Sequence, residues 1–233
     1  DQQAEDDFCF HWNFWAKRFK SHSSKKMSFD LLNEPSWRDD MNDQFGAKTE
    51  LPGEVYKKLV AAAKSAIHEV NDKRLIIADG NQVGNKVTPE LIELGVGQSC
   101  RGYAPGIISH YAAPWVFKDT SNLPEVKWPG QVGEQYLSRQ LLEDLYKPWI
   151  ELKNQGIGVH CGECGCFNKT PHDVFLAWFK DVTGILSEND IGFALWELSG
   201  SFGILNSGRE DVDYEDWYGQ NLDRKLLTLI QNA

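Results

Sequence analysis

Apolar residues recur along this chain in two rhythms that alternate. Phe8, Trp12, Trp15 and Phe19 stand at steps of four, three and four, which lays them on one helical face. Residues 27–32 are a short apolar run ending at Asn33-Glu34, as expected of a strand buried on both faces. After a polar loop over 36–51, Pro52-Gly53 opens a second helix, with Val55, Leu59, Ala62, Ala66 and Val70 expected to face inward. Leu75-Ile76-Ile77-Ala78 reads as a strand. Thr88-Pro89-Glu90 starts a short helix, with Thr as cap and Pro at the first helical position. A strand is predicted over 106–110, a long loop over 112–132, and a helix near 134–154 with Leu141, Leu142, Leu145, Trp149 and Leu152 inward. Residues 157–161 are a strand. Thr170-Pro171 caps a helix with Val174, Trp178, Val182 and Ile185 inward, 193–196 is the last strand, and 222–231 a closing helix.

Uniformly apolar strands alternating with helices predict an α/β fold, a parallel sheet covered by helices. The pattern contains five strands and six helices in one domain over 1–233. The long loops 36–51, 112–132 and 199–221 all follow carboxy-terminal strand ends, the face of a (β/α) barrel on which active sites are built.

Composition narrows the partners. The formal charge is −10, from 24 basic and 34 acidic residues with no basic cluster, which argues against nucleic acid and for a neutral substrate. No apolar run approaches the length of a membrane span. The chain opens on Asp1 rather than Met, so the absence of a visible signal segment does not decide between a secreted and a cytoplasmic location.

Two carboxylates stand at strand ends: Glu34 in Asn33-Glu34-Pro35, and Glu163 in Gly162-Glu163-Cys164-Gly165. Either motif alone is weak, since a Glu before Pro can simply cap a loop. Together, three βα units apart, they would reach one rim and face each other across it. Retaining hydrolysis of a glycosidic bond needs such a pair, a proton donor and a nucleophile about 5–5.5 Å apart. Nine tryptophans add flat apolar surfaces on which sugars stack. Trp37, Trp115, Trp128 and Trp217 fall in loops and are candidate platforms, whereas Trp12, Trp15, Trp149 and Trp178 lie on helical faces and are expected in the core.

Cys161, Cys164 and Cys166 beside His160 carry zinc-ligand chemistry. Strand alternation would send Cys161 and Cys164 to different sides, and no second Cys/His pair completes a four-ligand spacing. Small reduced thiols lining the sheet are the expectation, with no metal and no cofactor.

The blocks Phe29-Asp30-Leu31-Leu32-Asn33-Glu34-Pro35, Ile108-Ser109-His110-Tyr111, Gly162-Glu163 with Asn168-Lys169-Thr170-Pro171-His172-Asp173, and Phe193-Ala194-Leu195-Trp196 resemble glycoside hydrolase family 5, the cellulase family. So does the tail from Phe202-Gly203-Ile204-Leu205 to Trp217. The resemblance implies a (β/α)8 TIM barrel, of which this chain would supply strands four to eight, a partial barrel of five parallel strands. It implies a retaining endo-acting hydrolase of β-1,4-glucan, with Glu34 as acid/base and Glu163 as nucleophile. Asn33 would bond the sugar 2-hydroxyl, His110 and Tyr111 would orient the carboxylates, and Trp196 would floor the subsite of the cleaved sugar, with Trp37 and Trp115 also on the substrate. The family more often shows His-x-Tyr where this chain has His110-Tyr111-Ala112, and adjacent strand residues point to opposite faces. β-1,3-Glucan and mannan stay open as substrates.

Five strands would leave two apolar edges, which proteins cover or pair. A piece of a longer enzyme, a partial barrel completed by self-association, and a rearranged monomer all fit that count. The expectation is a homo-oligomer burying both edges. A catalytically inactive, carbohydrate-binding remnant is the alternative to an enzyme.

Overall fold

The computed structural model describes every residue except Met41 and Gln44. Helix α1 (Gln2–Arg18) precedes β1 (Phe29–Asp30), α2 (Gly53–His68), β2 (Ile76–Asp79), the short helical segment α3 (Asn81–Gly84) and a 3-10 helix (Pro89–Leu94). Strand β3 (Gly97–Gly102), the single turn α4 (Gly106–Ser109), the hairpin β4 (Gly130–Val132) and β5 (Gln135–Leu137), α5 (Arg139–Asn154) and β6 (Val159–Cys164) follow. Last come α6 (His172–Glu188), β7 (Gly192–Leu195), a second hairpin of β8 (Glu215–Trp217) and β9 (Gln220–Leu222), and α7 (Arg224–Gln231). Five strands form one sheet in the order β1-β2-β3-β6-β7, with β1–β2, β2–β3 and β6–β7 all parallel. The α/β reading therefore stands, with five parallel strands as expected.

The chain divides into two compact units, Asp1–Asp39 with Ala47–Cys100 and Glu151–Val159, and Asp40–Gly46 with Arg101–Ile150 and His160–Ala233. In the first, Phe29, Leu31, Tyr56, Val60, Ala63, Ile67, Ile76 and Ala78 form the core, with Phe8, Trp12 and Phe19 packed against it. The buried stripe of α2 is Tyr56, Val60, Ala63 and Ile67, one position on from the stripe expected from its aliphatic residues, and Val55 is exposed. Tyr56 carries the difference: its ring is buried while its hydroxyl bonds the Asp79 carbonyl at 2.9 Å. Trp15, expected in the core, is 44% exposed and stacks on Phe19. Arg74 is buried, its guanidinium spanning the carbonyls of Phe19, His22 and Met27 at 2.6–2.9 Å.

One expected strand is misplaced. Residues 106–109 are a helical turn, and the strand is β3, Gly-Gln-Ser-Cys-Arg-Gly, every residue of it buried. Its polar residues hide it from an apolar pattern. The Gln98 amide exchanges bonds with the Thr88 backbone at 2.8 and 2.9 Å, which offsets the cost of burying it.

In the second unit α6 buries Phe175, Trp178, Phe179, Val182, Ile185 and Leu186, close to the expected face. Helix α5 begins only at Arg139, because residues 135–137 pair back on 130–132 across Gly133, whose φ is +59°. Leu142, Tyr146 and Trp149 are its buried face in this unit, and Leu145 is exposed. No helix is long and apolar enough to cross a membrane among the described residues.

Candidate active site

Glu163 owes its presentation to a bulge. His160 and Cys161 on β6 pair with Gly192 and Phe193 on β7, but Cys164 then pairs with Leu195. Gly162 and Glu163 together oppose Ala194 alone. Such an extra residue bends the strand and re-aims a side chain. Close approach on both flanks accompanies it. A Cβ on Gly102 would lie 2.4 Å from Cβ of Cys164 and 3.1 Å from Sγ of Cys161. A Cβ on Gly165 would lie 2.4 Å from the Trp196 carbonyl. The second glycine of Gly-Glu-x-Gly is thus a packing requirement.

Each oxygen of the Glu163 carboxylate meets a different group. The Tyr103 hydroxyl donates to Oε2 at 3.1 Å, and Nη2 of the buried Arg101 stands 3.5 Å from Oε1. Neither residue was expected there. Arg101 and Gly102 end β3 and Tyr103 follows, with the spacing of a His-x-Tyr motif and Arg in the first place, a signal that an expected strand at 106–110 conceals. His110 packs edge-on against Tyr103, ring centroids 5.1 Å apart. The Ser109 hydroxyl donates to the Tyr103 carbonyl and contacts Nδ1 of His110 at 2.8 Å. With its hydrogen committed to the carbonyl, Ser109 accepts from Nδ1, which fixes the tautomer. Tyr111 lies in the turn after α4 rather than on a strand.

The three cysteines of this segment are buried, and none is in a disulfide among the described residues. The bulge brings Cys161 and Cys164 to the same glycine, Gly102, against the opposite-sides expectation from alternation. Their thiols point at the carbonyls of Glu163 and Ala194, and that of Cys166 at Ile108. The shared bond with Cys161 and burial push the Cys164 thiol well up, and burial pushes that of Cys166 to about 11. Cys164 and Cys166 are thus thiols that pack, and no cluster of three His, Cys, Asp or Glu with metal-site geometry occurs among the described residues. Behind them Arg209, buried, donates to the carbonyls of Cys166, Phe167 and Thr170 and lies 4.7 Å over the Phe175 ring. It ties down the loop that follows the bulge.

Aromatic side chains crowd one part of this unit. Trp115 packs on Phe167 at 4.8 Å and on His110 and Phe202, and stays 42% exposed. Trp196, just past β7, is about half exposed, as is Trp217 in the β8–β9 hairpin. Trp128 is no platform: it is buried, and its Nε1 bonds Asp181 at 2.8 Å.

In the first unit Glu34 follows β1 with φ of +50°, a left-handed backbone that is costly for a residue with a Cβ, about 1 kcal/mol or more. Its amide donates to Oδ2 of Asp79 at 2.8 Å. A bond to a charged acceptor contributes about 1.5–3 kcal/mol, enough to offset that strain. Asn33 beside it is exposed. Trp37 exchanges backbone bonds with Thr49 at 2.9 and 3.0 Å, and its side chain is more than half exposed.

Comparison with known proteins agrees with this architecture. The family model for cellulase (glycosyl hydrolase family 5) matches residues 1–201. Endoglucanase C of Acetivibrio thermocellus is 24% identical over 240 residues, covering 92% of this chain and 66% of the relative. A crystal structure of a glycoside hydrolase superposes with a TM-score of 0.88 at 39% identity, over 100% of this chain and 68% of that one. A hyperthermophilic endo-β-1,4-glucanase solved in complex with substrate superposes at 0.73 with 21% identity, over 99% of this chain and 67% of its own. The chain thus spans about two thirds of the length of these relatives, and its five parallel strands are part of their TIM-barrel fold. A family match over most of the sequence, with the Asn-Glu-Pro and Gly-Glu-x-Gly blocks inside it, means that this chain belongs to glycosyl hydrolase family 5, the cellulase family.

Proposed function

We propose that the chain is the catalytic part of a retaining, endo-acting β-1,4-glucan hydrolase, with Glu163 as nucleophile and Glu34 as acid/base. The observation that carries this reading is the setting of Glu163, whose two carboxylate oxygens are held separately by Tyr103 and Arg101. A nucleophile must stay ionised and aimed, and a cation with a phenolic donor supplies both. In the first step Glu163 attacks the anomeric carbon while Glu34 protonates the departing glycosidic oxygen. A glycosyl ester on Glu163 results. In the second, Glu34 takes a proton from water as that water displaces Glu163, and the configuration is retained. Asn33 binds the sugar 2-hydroxyl, Trp196, Trp37 and Trp115 offer stacking surfaces, and Tyr111 lines the site less directly than Tyr103.

Proton NMR of early product tests the stereochemistry: the β-anomer is expected first, and the α-anomer would exclude double displacement. Glu163→Ala is expected to lower kcat by three orders of magnitude or more, and intact activity would remove Glu163 from the role. Endo-β-1,4-glucanase activity belongs to a structural relative of 21% identity, so β-1,4-glucan is part of the proposal, with β-1,3-glucan and mannan as the comparison arms of a substrate panel. A second reading, a sugar-binding remnant without turnover, is favoured by the two-thirds coverage of the relatives. Binding of cello-oligosaccharide without release of reducing ends would establish it. For assembly we propose self-association that covers the β1 and β7 edges of the sheet. Light scattering that returned a monomeric mass would refute it.

A further inference from the structure

The acid/base reading of Glu34 requires something to hold that side chain, and Asp79 is built to do so. β1 and β2 run parallel with Asp30 opposite Ile77, and the Leu31 amide bonds the Ile77 carbonyl at 3.0 Å. Two residues past Ile77, Asp79 ends β2 with a side chain fully removed from solvent. Its main chain is anchored from two directions, opposite Ser99 on β3 and by the Tyr56 hydroxyl on its carbonyl. From this fixed point Oδ2 takes the Glu34 amide at 2.8 Å, at the residue whose φ is +50°. Burying a carboxylate is costly, and a loop tie alone would need only a neutral acceptor. Loss of the tie removes the bond that offsets the positive φ of Glu34, and a shift toward negative φ would swing its side chain away.

We propose that Asp79 is a positioning residue for the acid/base glutamate: its carboxylate clamps the Glu34 backbone and so sets the direction from which Glu34 delivers and removes the proton. The inference rests on the assignment of Glu34 as acid/base, and the test separates the two. Asp79→Ala, Asp79→Asn and Glu34→Ala are compared with the unsubstituted chain on two aryl β-cellobiosides. One bears phenol, which needs a proton to leave; the other bears 2,4-dinitrophenol, which does not. For Asp79→Ala, kcat/KM on the phenyl substrate is expected to fall about 100-fold, the scale of general acid catalysis, and on the dinitrophenyl substrate by only a few-fold. Azide is expected to restore kcat on the dinitrophenyl substrate and to give the β-glycosyl azide. A purely structural role would lower both substrates equally, and that result, or unchanged rates on both, overturns the proposal. Should Asp79→Ala fail to fold, Asp79→Asn carries the test, with the same leaving-group dependence at smaller amplitude and faster hydrogen exchange at the Glu34 amide. If Glu34→Ala itself shows no leaving-group dependence, or the unsubstituted chain turns over neither substrate, the acid/base assignment falls and the role of Asp79 with it.

Discussion

Arg101 illustrates how a single side chain can be visible only in three dimensions. It is buried at the end of β3, and its Nη2 stands 3.5 Å from Glu163. A pair removed from water depends on both partners, because one left alone is an uncompensated charge. Arg101→Met keeps the side-chain bulk and is expected to lower kcat/KM about 100-fold, equivalent to about 2.7 kcal/mol of transition-state stabilisation. Arg101→Lys should recover part of that loss, since the charge returns without the planar fork. Steady-state kinetics on one soluble β-glucan measures both, and a Met variant as active as Lys would show that the charge is irrelevant. Glu34 and Glu163 are legible as candidates in the sequence because they end apolar runs in recognisable blocks. Arg101 and Tyr103 are not, because a strand rich in Gln, Ser and Arg looks like a loop until its hydrogen-bond partners are known. Trp128 was misread for the related reason that a loop position does not reveal burial.

Among the elements, the β6 bulge and the α6–α7 junction each depend on a close contact. Gly102→Ala would place a methyl 2.4 Å from Cβ of Cys164. Overpacking of this kind costs about 1–3 kcal/mol, and urea unfolding should register it with a parallel loss of activity as the bulge shifts. A variant as stable as the parent would show that β6 is free to yield. At the other junction Nε2 of His172, in the first turn of α6, meets Oδ2 of Asp223, the N-cap of α7, at 2.7 Å. Burial pushes the Asp223 carboxyl up, but the His172 bond, the Leu226 amide and the Arg209 charge together hold it below its ordinary value. A lowered folded pKa contributes stability above the unfolded value, near 4, and loses it as pH falls through the folded one. The stability advantage over Asp223→Asn is therefore expected to be full at neutral pH and to shrink below about pH 4. Chemical denaturation at several pH values reads it, and a constant difference would contradict it. The helical and strand rhythms located most elements correctly. They misjudged the face of α2, where Tyr56 is buried with its hydroxyl bonded, and the start of α5, where a hairpin consumes residues that have helical character.

For the whole molecule the relevant quantity is charge. A chain of net charge −10 acting on a neutral polysaccharide should be indifferent to salt, whereas an anionic derivative of the same polymer is repelled. KM for carboxymethyl-cellulose is expected to fall a few-fold between low and physiological ionic strength while KM for barley β-glucan stays put. Equal responses would locate the charge away from the substrate path. Local sequence alone placed the chain in the α/β class with parallel strands and marked the two candidate carboxylates. These follow from residue type, from short uniformly apolar runs and from the period of 3.6, which need no knowledge of distant contacts. Only the tertiary structure decided where the polar strand runs, that a bulge aims Glu163 and gathers Cys161 and Cys164 beside one glycine, that Arg101 and Tyr103 hold the carboxylate, and that Asp79 grips Glu34. Each of those depends on a buried polar group meeting a partner distant in sequence, a pairing that hydrophobic rhythm does not record.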